Sequence, residues 1–258
     1  MVLERSGHGD PERTLALLWR DPPETGKPGR KPGHSVEEIV QGAIRVADAE
    51  GLAAMSMVRL ARELGIGTMS LYTYLPGKAE LIDLMVDAAL VERGLRWGPP
   101  PDGWRARIHR YADLTRRSYR SHPWLRQVST VRPPLGPGLL EQREYLLEAL
   151  SGIGLTEQHM ADAADAVIAF VDATAALEVD DAQAEQTGLS GESWRKARRS
   201  FWANRFDETG YPAITRVWRS GGYDTDAAES TVRAHDFGLA QLLNGIEATI
   251  TGRSTNDG

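Results

Sequence analysis

The sequence predicts an all-α fold, and three observations carry that prediction. Residues Ser56 to Lys78 spell two short helices joined by a glycine turn. Further on, apolar residues recur at three- and four-residue spacing through Thr156 to Asp181 and Asp224 to Thr251, the period of helices. Between the helical stretches stand breakers such as Gly98-Pro99-Pro100-Pro101 and Pro133-Pro134-Leu135-Gly136-Pro137, with no strand alternation.

Taken in order, Pro11 to Asp21 carries Leu15, Leu17, Leu18 and Trp19 and reads as a short helix. Gly26 to Gly33 follows as a basic arm rich in glycine and proline, which cannot fold alone. Residues 1–33 are therefore expected to lie outside the compact part of the chain, as an N-terminal extension. Ser35 and Glu38 form a capping box that opens a helix, and Ile39, Ala43, Ile44, Val46 and Ala47 make its apolar stripe up to Gly51.

Within Ser56 to Lys78, Ala61 is small enough to admit a second helix, and Gly65 can take the left-handed conformation that ends the first. Leu60, Leu64, Ile66 and Leu71 then close a miniature core. The second helix, Thr68 to Tyr74, presents Thr68, Met69, Ser70 and Thr73 outward, as a recognition helix does in a major groove. Two residues keep two readings. Tyr72 can pack its ring beneath the helix pair or offer its hydroxyl to a phosphate. Met69 suits a thymine methyl if exposed and belongs to the core if the helix is rotated. Lys78 opens the next helix, where its charge opposes the macrodipole, so a DNA phosphate is its natural partner.

That next helix is expected to reach Arg96. Helices follow at Trp104 to Ser121, Trp124 to Thr130 and Leu139 to Leu150, and later at Glu192 to Asp207 and Pro212 to Arg219. The two long stripes run through Met160, Val167 and Val171, and through Leu239, Leu243 and Ile246. They fit either an intramolecular bundle or helices shared with a second copy of the chain. The basic run Arg195, Lys196, Arg198 and Arg199 reads as a solvated helical face.

At 258 residues and a formal charge of −6, the chain is not a generally basic nucleic-acid coat. Charge is uneven, however: seven basic against six acidic residues lie between Lys27 and Glu80, which leaves the remainder at −7. The absence of cysteine excludes disulfides, thiolate metal sites and cysteine nucleophiles. No apolar run of signal or membrane-spanning length occurs, so a cytoplasmic protein without a membrane partner is expected.

The Ser35 helix, Gly51, the glycine-joined pair, Leu71-Tyr72 and Lys78-Ala79-Glu80-Leu81 together resemble the TetR family of bacterial transcriptional regulators, over about Ser35 to Leu90. The resemblance implies a helix-turn-helix DNA-binding domain at residues 34–80 and a helical effector-binding and dimerisation domain at 81–258. It implies that Thr68, Met69, Ser70 and Thr73 read bases while Tyr72, Tyr74 and Lys78 hold phosphates. It also implies a homodimer on a palindromic operator and a small-molecule effector that releases it. Lys27, Arg30 and Lys31 in the basic arm either enter the minor groove or form a solvated linker.

An effector pocket needs aromatic lining with a few polar contacts. The aromatic candidates are Trp97, Trp104, Tyr111, Trp124, Phe170 and Trp202, with His109, His122 and His159 as polar partners; for each aromatic the competing reading is plain core packing. The histidines show no metal-ligand spacing, and neither a metal nor a cofactor is expected. No phosphate loop, nucleophile elbow or dinucleotide fingerprint occurs, so an enzyme is not expected.

Overall fold

The computed structural model describes residues 4–20, 33–186, 196, 199–223 and 227–254. Its elements are β1 (Glu4–Arg5), α1 (Pro11–Trp19), α2 (Val36–Glu50), α3 (Met57–Leu64), α4 (Thr68–Leu71), α5 (Lys78–Glu92), α6 (Trp104–Ser121), a 3-10 turn (Pro123–Gln127), β2 (Val128–Ser129), α7 (Pro137–Leu150), α8 (Glu157–Gln186), α9 (Arg199–Asn204), α10 (Pro212–Arg219) and α11 (Ala227–Ser254). The fold is all-α apart from the two-residue β1 and β2.

Local signals act where the sequence places them. The Ser35 hydroxyl accepts from the Glu38 amide while the Glu38 carboxylate accepts from the Ser35 amide, so both orphan donors at the start of α2 are satisfied. The stripe of α2 is buried, and Gly51 ends the helix at φ +83°. Ser56 caps α3, and Gly65 closes it at φ +67°, which brings the Ile66 amide onto the Ala61 carbonyl. Leu60 and Leu71 are fully buried against Ile39 and Ala43 of α2 and Leu81 and Met85 of α5. Each such leucine contributes roughly 1.5–3 kcal/mol by leaving water.

Four expectations meet a different outcome. The second helix of the pair is only Thr68–Leu71, because the Thr73 amide and hydroxyl both bond the Ser70 carbonyl and tighten the chain before Pro76. α5 ends at Glu92 and does not reach Arg96, since Arg93 turns inward to donate to Gln142 and Thr115 and Gly94 follows at φ +60°. The helix expected at Trp124 to Thr130 is a 3-10 turn that passes into β2.

The fourth difference concerns residues 4–20, which do not lie outside the compact structure. β1 pairs in parallel with β2, placing Glu4 opposite Val128. Ser6 donates its hydroxyl to Asp83, the Gly7 amide reaches the same carboxylate at 2.9 Å, and the Asp10 amide reaches Glu80. Leu18 of α1 is buried in the same core as α2 and α5. The segment is anchored by acceptors on α5 some 70 residues away, which no local pattern announces. The basic arm with Lys27, Arg30 and Lys31 lies outside the described residues, as does much of the segment expected to form the Glu192 helix.

A second core gathers α6, α7, α8 and α11 around Tyr111, Leu146, Val167, Val171 and Leu243. α8 packs most extensively on α11. α7 meets α5 closely through Gly138, where a Cβ would stand 2.4 Å from the Asp87 carbonyl oxygen. Asp87 itself accepts from the Gly138 and Leu139 amides and so caps α7 from outside.

Candidate DNA-reading head and effector body

The glycine turn and the buried Leu71 fix the orientation of α4, and that orientation settles which side chains face water. Met69 is 79% exposed, Ser70 and Thr73 are exposed, and Thr68 is half-buried. Tyr72 is exposed at 45%, so its ring does not fill the core. Tyr74 instead packs against the core of the head, partly buried. The four outward residues thus form one surface held by a rigid apolar base, a requirement for placing a helix in a groove.

The basic groups around this surface fall into two kinds. Arg59 is occupied by Glu50 and Glu63. Lys78 is occupied by Glu4, at 2.8 Å. Arg45 and Arg62 are exposed, and neither has a hydrogen bond or close ion pair among the described residues, although the charge of Arg62 is felt by Glu50. The lysine expected to meet a phosphate is therefore paired with the N-terminal strand, while two arginines that the sequence did not single out stand exposed without a close ion pair.

The head joins the rest of the chain at His122. Its Nδ1 lies 3.0 Å from Asp48 on α2 and its Nε2 lies 3.2 Å from Glu92, the last residue of α5. The Asp48 carboxylate, aided by Glu92, raises the imidazole above its usual range despite partial burial. Trp124 donates its indole N–H to the same Asp48 at 2.8 Å. One aspartate of the head thereby ties down two rings from the segment after α6.

Of the nine residues expected to line an effector pocket, Trp104, Tyr111 and Phe170 meet in the core of α6, α7, α8 and α11, but the nine do not gather around one cleft among the described residues. Trp124 belongs to the core of the head, not to the body, because Asp48 offers its N–H a partner there. Tyr111 is fully buried, burial holds its hydroxyl protonated, and that hydroxyl forms no complete hydrogen bond. Phe170 stacks on His235 and sits over Gly238. Trp202 lies among Phe206, Trp218 and Tyr223. Trp104 carries the Arg105 guanidinium over its ring, and His109 is exposed. His159 faces a cleft of about 380 Å³ between α8 and α11, and its Nδ1 is buried without a partner.

Of the expected residues, Trp97 and His122 border a cationic cleft of about 360 Å³, where Arg93, Arg110 and Arg117 also line the wall. Arg93 is the residue that sequence reasoning missed. It is buried, donates to Thr115 and Gln142, and stands 3.7 Å from Asp172. Its only sequence signal is an arginine directly after a helix whose face is otherwise apolar. A larger cleft of about 1080 Å³ lies between α1, α2 and α5 and is lined by Leu17, Trp19, Val40 and Val91.

Comparison with known proteins agrees with this architecture. Residues 39–85 match the family model of bacterial regulatory proteins of the tetR family, and residues 98–250 match that of the tetracyclin repressor-like C-terminal domain. The chain is 38% identical to the HTH-type transcriptional repressor DrrR1 of Streptomyces coeruleorubidus, over 97% of this chain and 90% of that one. It is 28% identical to an HTH-type transcriptional regulator of Saccharopolyspora erythraea, over 92% and 94% of the two. The solved structure of the TetR family protein ActR of Streptomyces coelicolor in complex with actinorhodin superposes with a TM-score of 0.70 at 27% identity, covering 84% of this chain and 97% of that one. The apo form of ActR gives 0.69 at 26% identity, over 87% and 100%. A short helix with an exposed outer face on a buried base, a helical body behind it and these matches over nearly the whole chain lead to one conclusion: this chain belongs to the TetR family of DNA-binding transcriptional regulators.

Proposed function

We propose that the chain is a homodimeric repressor that leaves a palindromic operator when a small molecule occupies its helical body. The observation that carries this reading is the exposed surface of Met69, Ser70, Tyr72 and Thr73, edged by the half-buried Thr68, on a head whose α5 runs directly into the body. In this reading residues 34–80 form the reading head and 81–258 the effector and dimerisation unit. Thr68, Met69, Ser70 and Thr73 contact bases; Tyr72, Tyr74 and Lys78 contact phosphates, with Arg45 and Arg62 beside them. The arm residues Lys27, Arg30 and Lys31 add charge next to the head.

Two recognition helices must meet major grooves about 34 Å apart, which calls for a twofold partner. Phe237 on α11 is 70% exposed and Leu177 on α8 is 55% exposed, so apolar surface remains on the two long helices after they pack on each other. That surface supports pairing with a second copy. The solved complex of ActR with actinorhodin supports a small-molecule effector for a chain of this fold. An effector acts only through its differential affinity for the DNA-competent and DNA-incompetent arrangements.

A gel-shift and footprint on the DNA flanking its own gene tests the reading. The wild-type chain should protect two half-sites about one helical turn apart. The double variant Ser70→Ala, Tyr72→Ala should lose retention; a double variant that still binds the same footprint would remove α4 from the reading role.

A further inference from the structure

We propose that the cleft between the end of α5 and the middle of α6 binds a planar aromatic anion. Its walls hold Arg93, Arg110 and Arg117 with Trp97, Ser118 and His122. Glu92 supplies the one carboxylate among these lining residues, and that group is already shared with His122 at 3.2 Å. A concentration of guanidinium groups on a chain of formal charge −6 is a local reversal of sign, and such a site attracts anions.

The donors differ in how committed they are. Arg110 is spent on the carbonyls of Pro99 and Trp97, which shapes the rim. Arg93 is anchored by Gln142 and Thr115 and faces the Asp172 carboxylate at 3.7 Å, although its Nε has no acceptor. The Ser118 hydroxyl is likewise buried and unsatisfied. Arg117 is exposed and has no partner among the described residues. With Arg110 and Arg93 committed, Arg117 is the guanidinium among these lining residues left open to a ligand oxygen.

Planarity follows from Trp97. Gly94 sits at φ +60° and the indole lies directly on it: a Cβ there would be 2.4 Å from Cε3 of Trp97. The ring is held on one face and is 68% exposed overall. Leu114 adds an apolar contact. Such a wall stacks a flat ring while the guanidinium groups take its charge. A volume of about 360 Å³ suits one or two fused rings. His122 lies in the same wall and bonds Asp48 of the head, so an occupant touches the joint between body and head. This deepens the proposed function by giving the effector a chemical class and a place.

Calorimetry on the full chain with 2-naphthoate and its uncharged counterpart 2-naphthamide tests the site. 2-Naphthoate should bind saturably, one per chain, and at least about tenfold more tightly than 2-naphthamide. Arg117→Ala, at an exposed position, should weaken 2-naphthoate about tenfold and leave 2-naphthamide unchanged. Trp97→Ala should weaken 2-naphthoate several-fold. Equal binding of the two probes, an unaltered affinity in both variants, or no saturable binding of 2-naphthoate would overturn the site. Operator retention is measured in parallel: 2-naphthoate binding that depends on Arg117 but leaves retention unchanged upholds the site and counts against effector release, while absent retention without any probe counts against the DNA-binding reading alone.

Discussion

Lys78 Nζ lies 2.8 Å from Glu4 Oε1, although the two residues are 74 apart in the chain. The lysine that opens α5, beside the reading helix, is thus paired with the N-terminal strand. In the proposed DNA complex a phosphate would compete with that carboxylate for the ammonium group. The pair is about one-third exposed on each side, so its net strength is at most about 1 kcal/mol.

Glu4→Gln should therefore tighten DNA binding by up to about fivefold and steepen the salt dependence of affinity by about one unit of slope. Lys78→Ala should weaken binding and flatten that slope. Titrations at several salt concentrations decide it. Unchanged slopes in both variants would mean that Lys78 meets no phosphate.

Leu71 and Met69 are two residues apart and opposite in burial, fully buried against 79% exposed. Leu71→Ala should cost about 2–5 kcal/mol in denaturant unfolding, with DNA binding lost as a consequence. Met69→Ala should leave stability within about 0.5 kcal/mol yet weaken operator binding by about 1–3 kcal/mol. A Met69 variant with full affinity would show that the tip of α4 does not touch bases.

Asp87 Oδ1 accepts from the amides of Gly138 at 2.9 Å and Leu139 at 3.2 Å, which have no intrahelical partner at the start of α7. Asp87→Ala should destabilise the chain by about 1–3 kcal/mol, whereas Asp87→Asn, which keeps an acceptor oxygen, should cost less. Burial raises the Asp87 carboxyl above its usual range. The charge is therefore not what makes this cap useful. Equilibrium unfolding of both variants separates the two contributions, and an asparagine variant as unstable as the alanine one would refute the acceptor argument.

His122 gives the chain a pH-dependent joint. Its folded-state value is raised by Asp48 and Glu92, so the protonated imidazole stabilises the fold fully below its unfolded value of about 6.5. That stabilisation is lost as pH rises through the raised folded value. The melting temperature of the wild type should exceed that of His122→Gln most at pH 6 and by a shrinking margin toward alkaline pH. A margin constant across that range would place no proton on this joint.

The sequence by itself determined the head. The Ser35 capping box, Gly51, Ser56, Gly65 and the apolar stripe of α2 are local devices, each satisfied within a few residues, and the structure uses every one of them. The exposure of Met69, Ser70 and Thr73 follows from burying Leu71. The helical body was legible as helices for the same reason, and α10 lies at Pro212–Arg219 as its pattern predicts.

Only the tertiary structure decided the rest. It bound residues 4–20 to α5, gave Lys78 a carboxylate, took Trp124 into the head by way of Asp48 and turned Arg93 inward to end α5 early. It also dispersed the aromatic residues expected to share one pocket and assembled a cationic cleft from the end of α5 and one face of α6. The first four of these rest on hydrogen bonds or ion pairs between groups 22 to 77 residues apart. A side chain's polar partner at that distance is chosen by which helix faces meet, and helical periodicity fixes a residue's own face while leaving open what will face it.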